Sequence, residues 1–213
     1  MAQMKTPGVY IIEKNAFPNS VVEVATAIPA FIGHTQFARD GNKDLTGIPF
    51  RISSMAEFHS FFGFAPTLRF GIRPEDSESE DTTNDINVLF PDGSCQLTLP
   101  KTFYALYYNM LLFYANGGGP CYIVSVGDYE HDFKSIDFTN ALLALKKEQE
   151  PTLVVVPEAV YMEEGDCYKV QTAALMHCGN DMKNRFAILD VFNGYKDENG
   201  AVIKRFREHI GRH

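Results

Sequence analysis

Three short apolar runs alternate with two segments of helical pattern in the second half of this 213-residue chain. The runs span residues 121–126, 152–156 and 185–191, and the helices between them are predicted at 138–148 and 166–178. Strands that are apolar on both faces are typical of parallel sheets, which helices cover on each side. The alternation therefore predicts an α/β fold, with a mostly parallel central sheet of buried strands flanked by helices and joined by right-handed crossovers.

Two further elements are predicted ahead of this alternation. Residues 21–33 are β-prone and nearly all apolar in their second half, which predicts another buried strand. A bend or break is expected at Pro29, because proline cannot donate to a strand ladder. The pattern Ser54-Met55-Ala56-Glu57 is a capping box that opens a short helix, and Gly63 is placed to end it.

The remaining helices differ in how they should be buried. The helix predicted at 102–115, with Thr102 as its N-cap, is apolar almost all round and is therefore expected at the centre of the molecule. Asp137 is the predicted cap of the helix at 138–148. The segment 201–210 is amphipathic, with Val202, Phe206 and Ile210 spaced by four residues.

Residues 34–100 are predicted to contain an excursion from the core. Residues 75–84 contain no apolar side chain, which predicts an exposed loop. Beyond this loop, the runs 86–90 and 95–99 flank the turn Pro91-Asp92-Gly93, the pattern of a β-hairpin.

The N-terminus carries a separate strand. Residues Gly8, Val9, Tyr10, Ile11, Ile12 and Glu13 form a β-prone run, and a linker that contains Asn15, Pro18 and Asn19 follows it. The chain therefore divides into an arm with its linker at 1–20 and an α/β core at 21–213. An unpaired apolar strand needs a partner sheet. That sheet belongs either to the same chain or to a neighbour, which the strand would join by β-augmentation.

Composition excludes several classes of function. The chain has 19 basic and 27 acidic residues, a net charge of −8, and no dense basic stretch, which argues against nucleic-acid binding. No apolar run is long enough to span a bilayer, so membrane insertion is not expected. The first residues lack the pattern of a secretory signal, which predicts folding in the cytosol.

No complete catalytic or cofactor motif is present. The turn Asn116-Gly117-Gly118-Gly119-Pro120 follows a helix and precedes a strand, the reverse of a phosphate-binding loop, so a structural turn is favoured. Asp190 lies at the end of a predicted strand, where α/β enzymes place catalytic carboxylates, but a cap for the turn at 192–194 is the favoured role.

Metal binding is also not predicted. Cys167, His177 and Cys178 are possible ligands, but His177 and Cys178 are adjacent on a helix and point about 100° apart. Together with Cys95 and Cys121 they lack the spacing of a zinc site or a disulfide framework. The other histidines are scattered without a His-x-x-x-His pair: His34, His59, His131, His209 and His213.

Four stretches carry a resemblance to a known family. In this order and at these spacings they resemble the tail sheath proteins of contractile bacteriophages and of the phage-tail-like injection particles built on the same plan. The stretches are Thr6-Pro7-Gly8-Val9-Tyr10-Ile11-Ile12-Glu13, Thr26-Ala27-Ile28-Pro29-Ala30-Phe31-Ile32-Gly33-His34-Thr35, Phe113-Tyr114-Ala115-Asn116-Gly117-Gly118-Gly119-Pro120-Cys121-Tyr122-Ile123-Val124 and Pro151-Thr152-Leu153-Val154-Val155-Val156-Pro157-Glu158-Ala159.

The resemblance implies a structural protein without a cofactor. Sheath subunits stack in rings around an inner tube, and arm strands from neighbouring subunits complete a sheet on a third subunit. The arm here would be Gly8 to Glu13, with the linker around Pro18 as a hinge. The loop and hairpin within residues 34–100 would be a peripheral, outward-facing insertion. Contraction is a packing switch between two states that consumes no nucleotide. The implied partners are other copies of the chain, the inner tube protein, and baseplate and terminator or cap proteins. Such a protein is made in the bacterial cytoplasm and incorporated into the tail or injection particle.

Family members continue through a C-terminal domain with a second arm strand, and this domain is expected to be absent from the present chain. A sheath-related cap or terminator protein is therefore one alternative. The other is a cytosolic α/β enzyme that uses Asp190 and the turn after Asn116.

Overall fold

A computed structural model describes residues 27–74, 85–90, 93–98, 102–196 and 200–211 of the chain. The order of the elements alternates strands and helices over most of this length. The strands are β1 Pro29–Gly33, β2 Arg39–Asp40, β3 Lys43–Asp44, β4 Phe50–Ile52, β5 Gly71–Pro74, β6 Asp85–Phe90, β7 Gly93–Thr98, β8 Cys121–Ser125, β9 Leu153–Val155 and β10 Phe186–Ile188. The α-helices are α1 Met55–Phe62, α2 Leu106–Ala115, α3 Ser135–Leu145, α4 Glu164–Met176 and α5 Ala201–Ile210.

The central sheet has the strand order β10-β9-β1-β8-β4. The first four strands are parallel to one another, and β4 pairs with β8 in the antiparallel sense. All five residues of β1 and all five of β8 are buried, as expected for parallel strands covered on both faces. The predicted α/β fold with a mostly parallel sheet is confirmed.

Helices cover the sheet in two layers. Buried side chains of α3 and α4, including Phe138, Leu142 and Val170, pack on one face against Ala30, Ile32, Val124 and Val154. On the other face, α1 and α2 contribute Phe58, Phe62, Leu106 and Met110, which pack around Phe31 and Ile123. Successive residues of a strand point to opposite faces, so neighbours on β1 belong to different layers.

Several predicted boundaries are confirmed. Pro29 is the first residue of β1, at the position where a break in the strand was expected. In the capping box, the Ser54 hydroxyl accepts the N–H of Glu57 at 3.2 Å. The Glu57 carboxylate in turn accepts the N–H of Ser53 at 2.6 Å, and Gly63 ends α1 with φ at 84°.

The helix predicted from Thr102 begins four residues later. Its N-cap is Ala105, which supplies no capping side chain, so the assignment of Thr102 was wrong. The expected central position was also wrong: within α2 only Leu106 and Met110 are buried, and Leu112 is 65% exposed. The helix lies on one face of the sheet, and nothing in the described residues covers its outer side.

The predicted cap of α3 also differs. The helix begins at Ser135, one turn earlier than predicted, with Lys134 at the N-cap. Asp137 therefore lies in the first turn, where a carboxylate is favourable next to the positive end of the helix dipole. Helix α4 continues past its predicted end into a π-helix at His177–Met182.

The strand predicted at 185–191, which is β10 in the structure, is not buried. β10 is the edge of the sheet, and its Phe186 and Ile188 are 75% and 51% exposed. Their partners in register are Leu153 and Val155 of β9. Val155 packs on the α1–α2 side, so these side chains share that face, and the α1–α2 layer does not reach the edge strand. The prediction of a buried strand at 185–191 was therefore wrong.

The peripheral region forms a small antiparallel sheet of order β5-β7-β6. The predicted hairpin is confirmed as β6 and β7, and β5 was not predicted. The expected acidic loop at 75–84 lies outside the described residues. Helix α5 is confirmed, with Ile210 buried. No helix among the described residues is long and apolar enough to cross a membrane.

Candidate functional site

The strand order reverses at β1, so the carboxyl end of β1 lies between those of β8 and β9. The chain passes from β1 to β8 on one side and then returns to β9 on the other side of β1. Open α/β sheets bind ligands at such a reversal of strand order. His34 directly follows β1 and Glu158 follows β9 by three residues, so both lie at this edge.

Glu158 is fully buried and joins three parts of the chain. One of its carboxylate oxygens accepts the main-chain N–H of His34 at 2.9 Å and contacts His34 Nδ1 at 2.8 Å. The other oxygen accepts the N–H of Leu106, the first residue of α2, at 3.3 Å. Glu158 therefore supplies the capping group that α2 lacks locally.

The junction is tightly packed around Gly33. A Cβ atom at Gly33 would lie 2.9 Å from the Cβ of Leu106 and 3.1 Å from the Glu158 carboxylate. Glycine allows this close approach of β1 to the start of α2. The rings of Tyr104, Phe133 and Phe138 lie 5.0 to 5.7 Å from the His34 ring and shield it from water.

The carboxylate of Glu158 orients the ring of His34. A carboxylate accepts hydrogen bonds, so Nδ1 of His34 donates to it at 2.8 Å. Gly127 faces the Nε2 edge of the ring: a Cβ atom there would lie 3.5 Å from Nε2. Within the described residues, the ring makes its hydrogen bond through Nδ1 alone.

A cleft of about 430 Å³ opens beside His34. The loops after β1, β3 and β8 and the start of α3 form its walls. Its charged side chains are mainly acidic: Asp44, Asp128, Asp132 and Asp137, with Lys134, line the cleft together with His34 and His131.

Local hydrogen bonds keep two of these carboxylates ionised. The N–H of Glu130 and the side chain of His131 lower the pKa of Asp128. The N–H of Thr46 lowers the pKa of Asp44 in the same way. The cleft therefore keeps negative charge at two points of its wall over the neutral pH range.

The hydroxyl groups beside the cleft already have partners. Thr35 Oγ1 and Ser125 Oγ are 2.6 Å apart, and Thr35 donates to the carbonyl of Phe37 at 2.8 Å. Ser125 also lies within reach of the carbonyl of Gly127 at 3.3 Å. These bonds hold the ends of β1 and β8 together. A serine nucleophile needs a base as its hydrogen-bond partner, whereas Ser125 is paired with Thr35.

The possible metal ligands named from the sequence do not converge on a site. Cys167 and Cys178 are buried thiols whose pKa values burial raises to about 12 and about 11. His177 Nε2 accepts a hydrogen bond from Arg185 Nη1 at 2.9 Å. Among the described residues, no three His, Cys, Asp or Glu side chains form a group that could hold a metal ion.

The turn after Asn116 is structural. The N–H of Gly117 bonds to the carbonyl of Tyr114 at 3.1 Å, and that of Gly118 bonds to the carbonyl of Phe113 at 2.9 Å. Gly117 has a φ of 82°, the left-handed conformation that commonly ends a helix. The interpretation of this segment as a helix-ending turn is confirmed.

Asp190 lies at the other edge of the sheet. The Asn116 turn precedes β8 at the amino edge, whereas Asp190 follows β10 at the carboxyl edge, and these strands are parallel. The two therefore do not form one active site. The turn after Asp190 is closed by the carbonyl of Val191, which accepts the N–H of Gly194 at 2.9 Å, so it needs no side-chain cap.

Sequence reasoning missed the His34–Glu158 pair. His34 was counted among scattered histidines, and Glu158 was noticed only as part of a family-like stretch. The available signal was position: each follows an apolar strand of the predicted parallel sheet, and the carboxyl ends of such strands meet at one edge. The predicted arm Gly8 to Glu13 and the hinge residues Asn15, Pro18 and Asn19 lie outside the described residues.

Comparison with models of known protein families and with curated proteins finds no match.

Proposed function

We propose that this chain is a structural, non-enzymatic subunit of a contractile sheath. In this role copies of the chain polymerise around an inner tube, and their contraction drives the tube through a target cell envelope. Baseplate and terminator or cap proteins would complete the particle. The proposal combines the four family-like stretches with one structural observation, the uncovered face at the edge of the central sheet.

The uncovered face is defined as the exposed side chains of Phe186 and Ile188 on β10, which no described residue covers. Parallel sheets are normally covered on both faces, because their strands are apolar throughout. Here Phe186 is 75% exposed at the end of a sheet whose centre is completely buried. A surface of this kind is typical of proteins that bury it against another protein surface. This supports an assembly subunit over a self-contained enzyme.

The polar junction fits the same role. Glu158 ties the end of β1 to the start of α2 through hydrogen bonds that are shielded from water. Such a junction stiffens the core, which a subunit that moves as a rigid body during contraction requires. In this proposal the arm Gly8 to Glu13 joins neighbouring subunits, and the linker with Pro18 absorbs the motion.

Electron microscopy of the full-length product tests the proposal. We expect striated hollow cylinders in which Gly8 to Glu13 adds a strand to the sheet of a neighbour. A variant lacking residues 1–15 should remain folded and monomeric. A variant lacking only residues 1–5 is the matched control, because it keeps the arm strand, and it should assemble.

Two results would contradict the proposal. One is a discrete monomer or small oligomer of the intact chain under conditions that favour polymerisation. The other is unfolding of the variant that lacks residues 1–15, because the strand would then belong to the core of its own chain.

A further inference from the structure

We propose that β10 is the edge at which the arm of a second copy of the chain joins the central sheet, with residues 8–12 of that copy pairing with Phe186–Ile188. The inference rests on the proposed function, which assigns the arm to a neighbouring copy, and it adds the place where the arm binds. Three features of β10 carry it: open main-chain groups, a lack of charge, and apolar side chains on both faces.

The main chain of β10 is open on one side. The strand lies at the end of the order β10-β9-β1-β8-β4, so it has a neighbouring strand on one side only. The N–H of Phe186 donates to the carbonyl of Thr152, next to β9, at 2.8 Å. Main-chain groups of successive residues point to opposite sides of a strand, so the N–H and the carbonyl of Ala187 point away from the sheet. A strand added at this edge would pair with them.

β10 lacks the features that protect an edge strand. Natural edge strands are commonly blocked by charged side chains or by proline. The opposite edge, β4, has such a charge at its centre: Arg51 is exposed and pairs with Glu150 at 3.0 Å. β10 has the sequence Phe-Ala-Ile, without a charge or a proline. Of the two edges, β10 is therefore the one suited to the addition of a strand.

The side chains of β10 select an apolar strand. Phe186 and Ile188 form the uncovered face, with exposures of 75% and 51%. On the other face, Ala187 and Leu189 pack against the core beneath α3 and α4. A strand beside β10 would therefore meet apolar side chains on both of its own faces, and burying them favours pairing.

The arm is the segment outside the described residues that has these properties. Residues 8–12 read Gly-Val-Tyr-Ile-Ile, an uncharged and β-prone run with apolar side chains on both faces of a strand. Residues 75–84 are acidic or polar throughout, and the run at 21–24 is interrupted by Glu23. Residues 14–26 separate the arm from the described part of the chain, and at about 3.3 Å per extended residue they can span about 40 Å, enough to reach another copy.

Disulfide cross-linking of full-length chains tests the proposal. One chain carries Ile188→Cys, and a second chain of different tag length carries a single arm cysteine, so a disulfide between them joins two copies. The four arm variants are Val9→Cys, Tyr10→Cys, Ile11→Cys and Ile12→Cys. Because a strand places alternate side chains on one face, we expect cross-links either at the first and third of these positions or at the second and fourth.

Two controls accompany the cross-linking. Cys95→Ser is present in every chain, because Cys95 is the partly exposed native thiol and the other three cysteines are buried. Ile203→Cys replaces Ile188→Cys as the matched acceptor, since Ile203 is also an exposed apolar residue but lies on α5, and it should not cross-link to the arm. A chain that carries both Ile188→Cys and an arm cysteine detects disulfides within one copy.

A proline at Ala187 tests the main-chain contact. The N–H of Ala187 points outward, so Ala187→Pro removes that donor while β10 keeps its pairing with β9. We expect the variant to remain folded by circular dichroism and to self-associate about tenfold more weakly in sedimentation velocity, as for the loss of one hydrogen bond. Ala187→Ser is the matched control, because it keeps the N–H, and it should associate as the native chain does.

Several results would overturn the inference. They are cross-links at all four arm positions or at none, a disulfide that forms only within one copy, and equal association of the proline and serine variants. The sheath function is judged separately by electron microscopy. Striated cylinders without cross-links to Ile188→Cys would overturn only the docking of the arm at β10. Alternating cross-links without cylinders would support this docking and contradict the sheath function.

Discussion

At the scale of single residues, one buried carboxylate organises the carboxyl edge of the sheet. Glu158 accepts hydrogen bonds from the main chain at two places that are far apart in sequence, His34 and Leu106. A buried ionised group is stable only when its acceptor sites are occupied in this manner. The side chain therefore couples the position of α2 to the end of β1.

Replacing Glu158 with glutamine should destabilise the fold. The amide keeps the size of the side chain but turns an N–H₂ group toward main-chain donors that need an acceptor. We expect a loss of about 3 kcal/mol in the free energy of unfolding, measured by urea denaturation. Glu150→Gln is the matched control, because Glu150 is half exposed in its pair with Arg51, and it should cost less than about 1 kcal/mol. Equal effects would show that Glu158 has no special structural role.

Arg185 and His177 form a second buried junction. The guanidinium donates to the carbonyls of Leu145 and Glu148 near the carboxyl end of α3, where positive charge is favourable. It also donates to His177 Nε2, which can accept only while it is unprotonated. Burial first, and the charge of Arg185 second, lower the pKa of His177 to about 4.

This junction predicts that stability falls in mild acid. Between pH 6.5 and pH 4 the unfolded chain binds a proton at His177 and the folded chain does not, so acid favours unfolding. Over this window the native state should lose up to about 3 kcal/mol relative to a His177→Gln variant, whose amide oxygen can still accept from Arg185. Urea denaturation of both proteins at several pH values checks this. Parallel pH profiles would contradict it.

At the scale of elements, two glycines determine the conformation of the turn between α2 and β8. Gly117 takes the left-handed conformation, and Gly118 lies directly against a side chain of the preceding helix. A Cβ atom at Gly118 would lie 2.5 Å from the ring of Phe113, whereas Gly119 has open space. Phe113 in turn packs edge-on against Phe31 of the central strand, at 5.3 Å between ring centroids.

The two neighbouring glycines should therefore respond differently to alanine. Gly118→Ala forces the Phe113 ring away from Phe31, and we expect a loss of about 1–3 kcal/mol in the free energy of unfolding. Gly119→Ala should change it by less than about 1 kcal/mol, since the added methyl group meets nothing. Thermal and urea denaturation of the pair measure the difference. A larger effect at Gly119 would contradict the packing described here.

At the scale of the whole molecule, the edge of the central sheet exposes apolar side chains in the described part of the chain. Its central strands are buried on both sides, yet Phe186 and Ile188 project from the edge strand with most of their surface exposed. Apolar surface of this kind favours association because burying it removes it from water.

Phe186→Ser should reduce self-association and leave the fold intact. The side chain is already largely exposed, so we expect a change of less than about 1 kcal/mol in the free energy of unfolding. Phe138→Ser is the contrasting control, because Phe138 is fully buried and its loss should cost about 4 kcal/mol. Sedimentation velocity follows association, and circular dichroism follows the fold. Unchanged association of the Phe186 variant would show that this face is not used.

Sequence reasoning succeeded where the pattern is local. The apolar strands at β1, β8 and β9, the capping box of α1 and the turn after α2 each depend on residues that are close in sequence, and each is confirmed. It failed where the outcome depends on distant partners. Thr102 was chosen as a cap because it is a local residue of the right type, whereas the group that caps α2 is Glu158, 52 residues away from Leu106.

The sequence by itself determined the alternation of strands and helices and the parallel sense of the sheet, because hydrophobic periodicity and crossover length are properties of neighbouring residues. Only the tertiary structure decided which strand lies at the edge of the sheet, which face of that strand is exposed, and which side chains are in contact. The order β10-β9-β1-β8-β4 exposes Phe186, although the sequence around it is that of a buried strand. The same order brings His34 and Glu158, 124 residues apart, into hydrogen-bond contact, because strand order is set by packing of the whole chain.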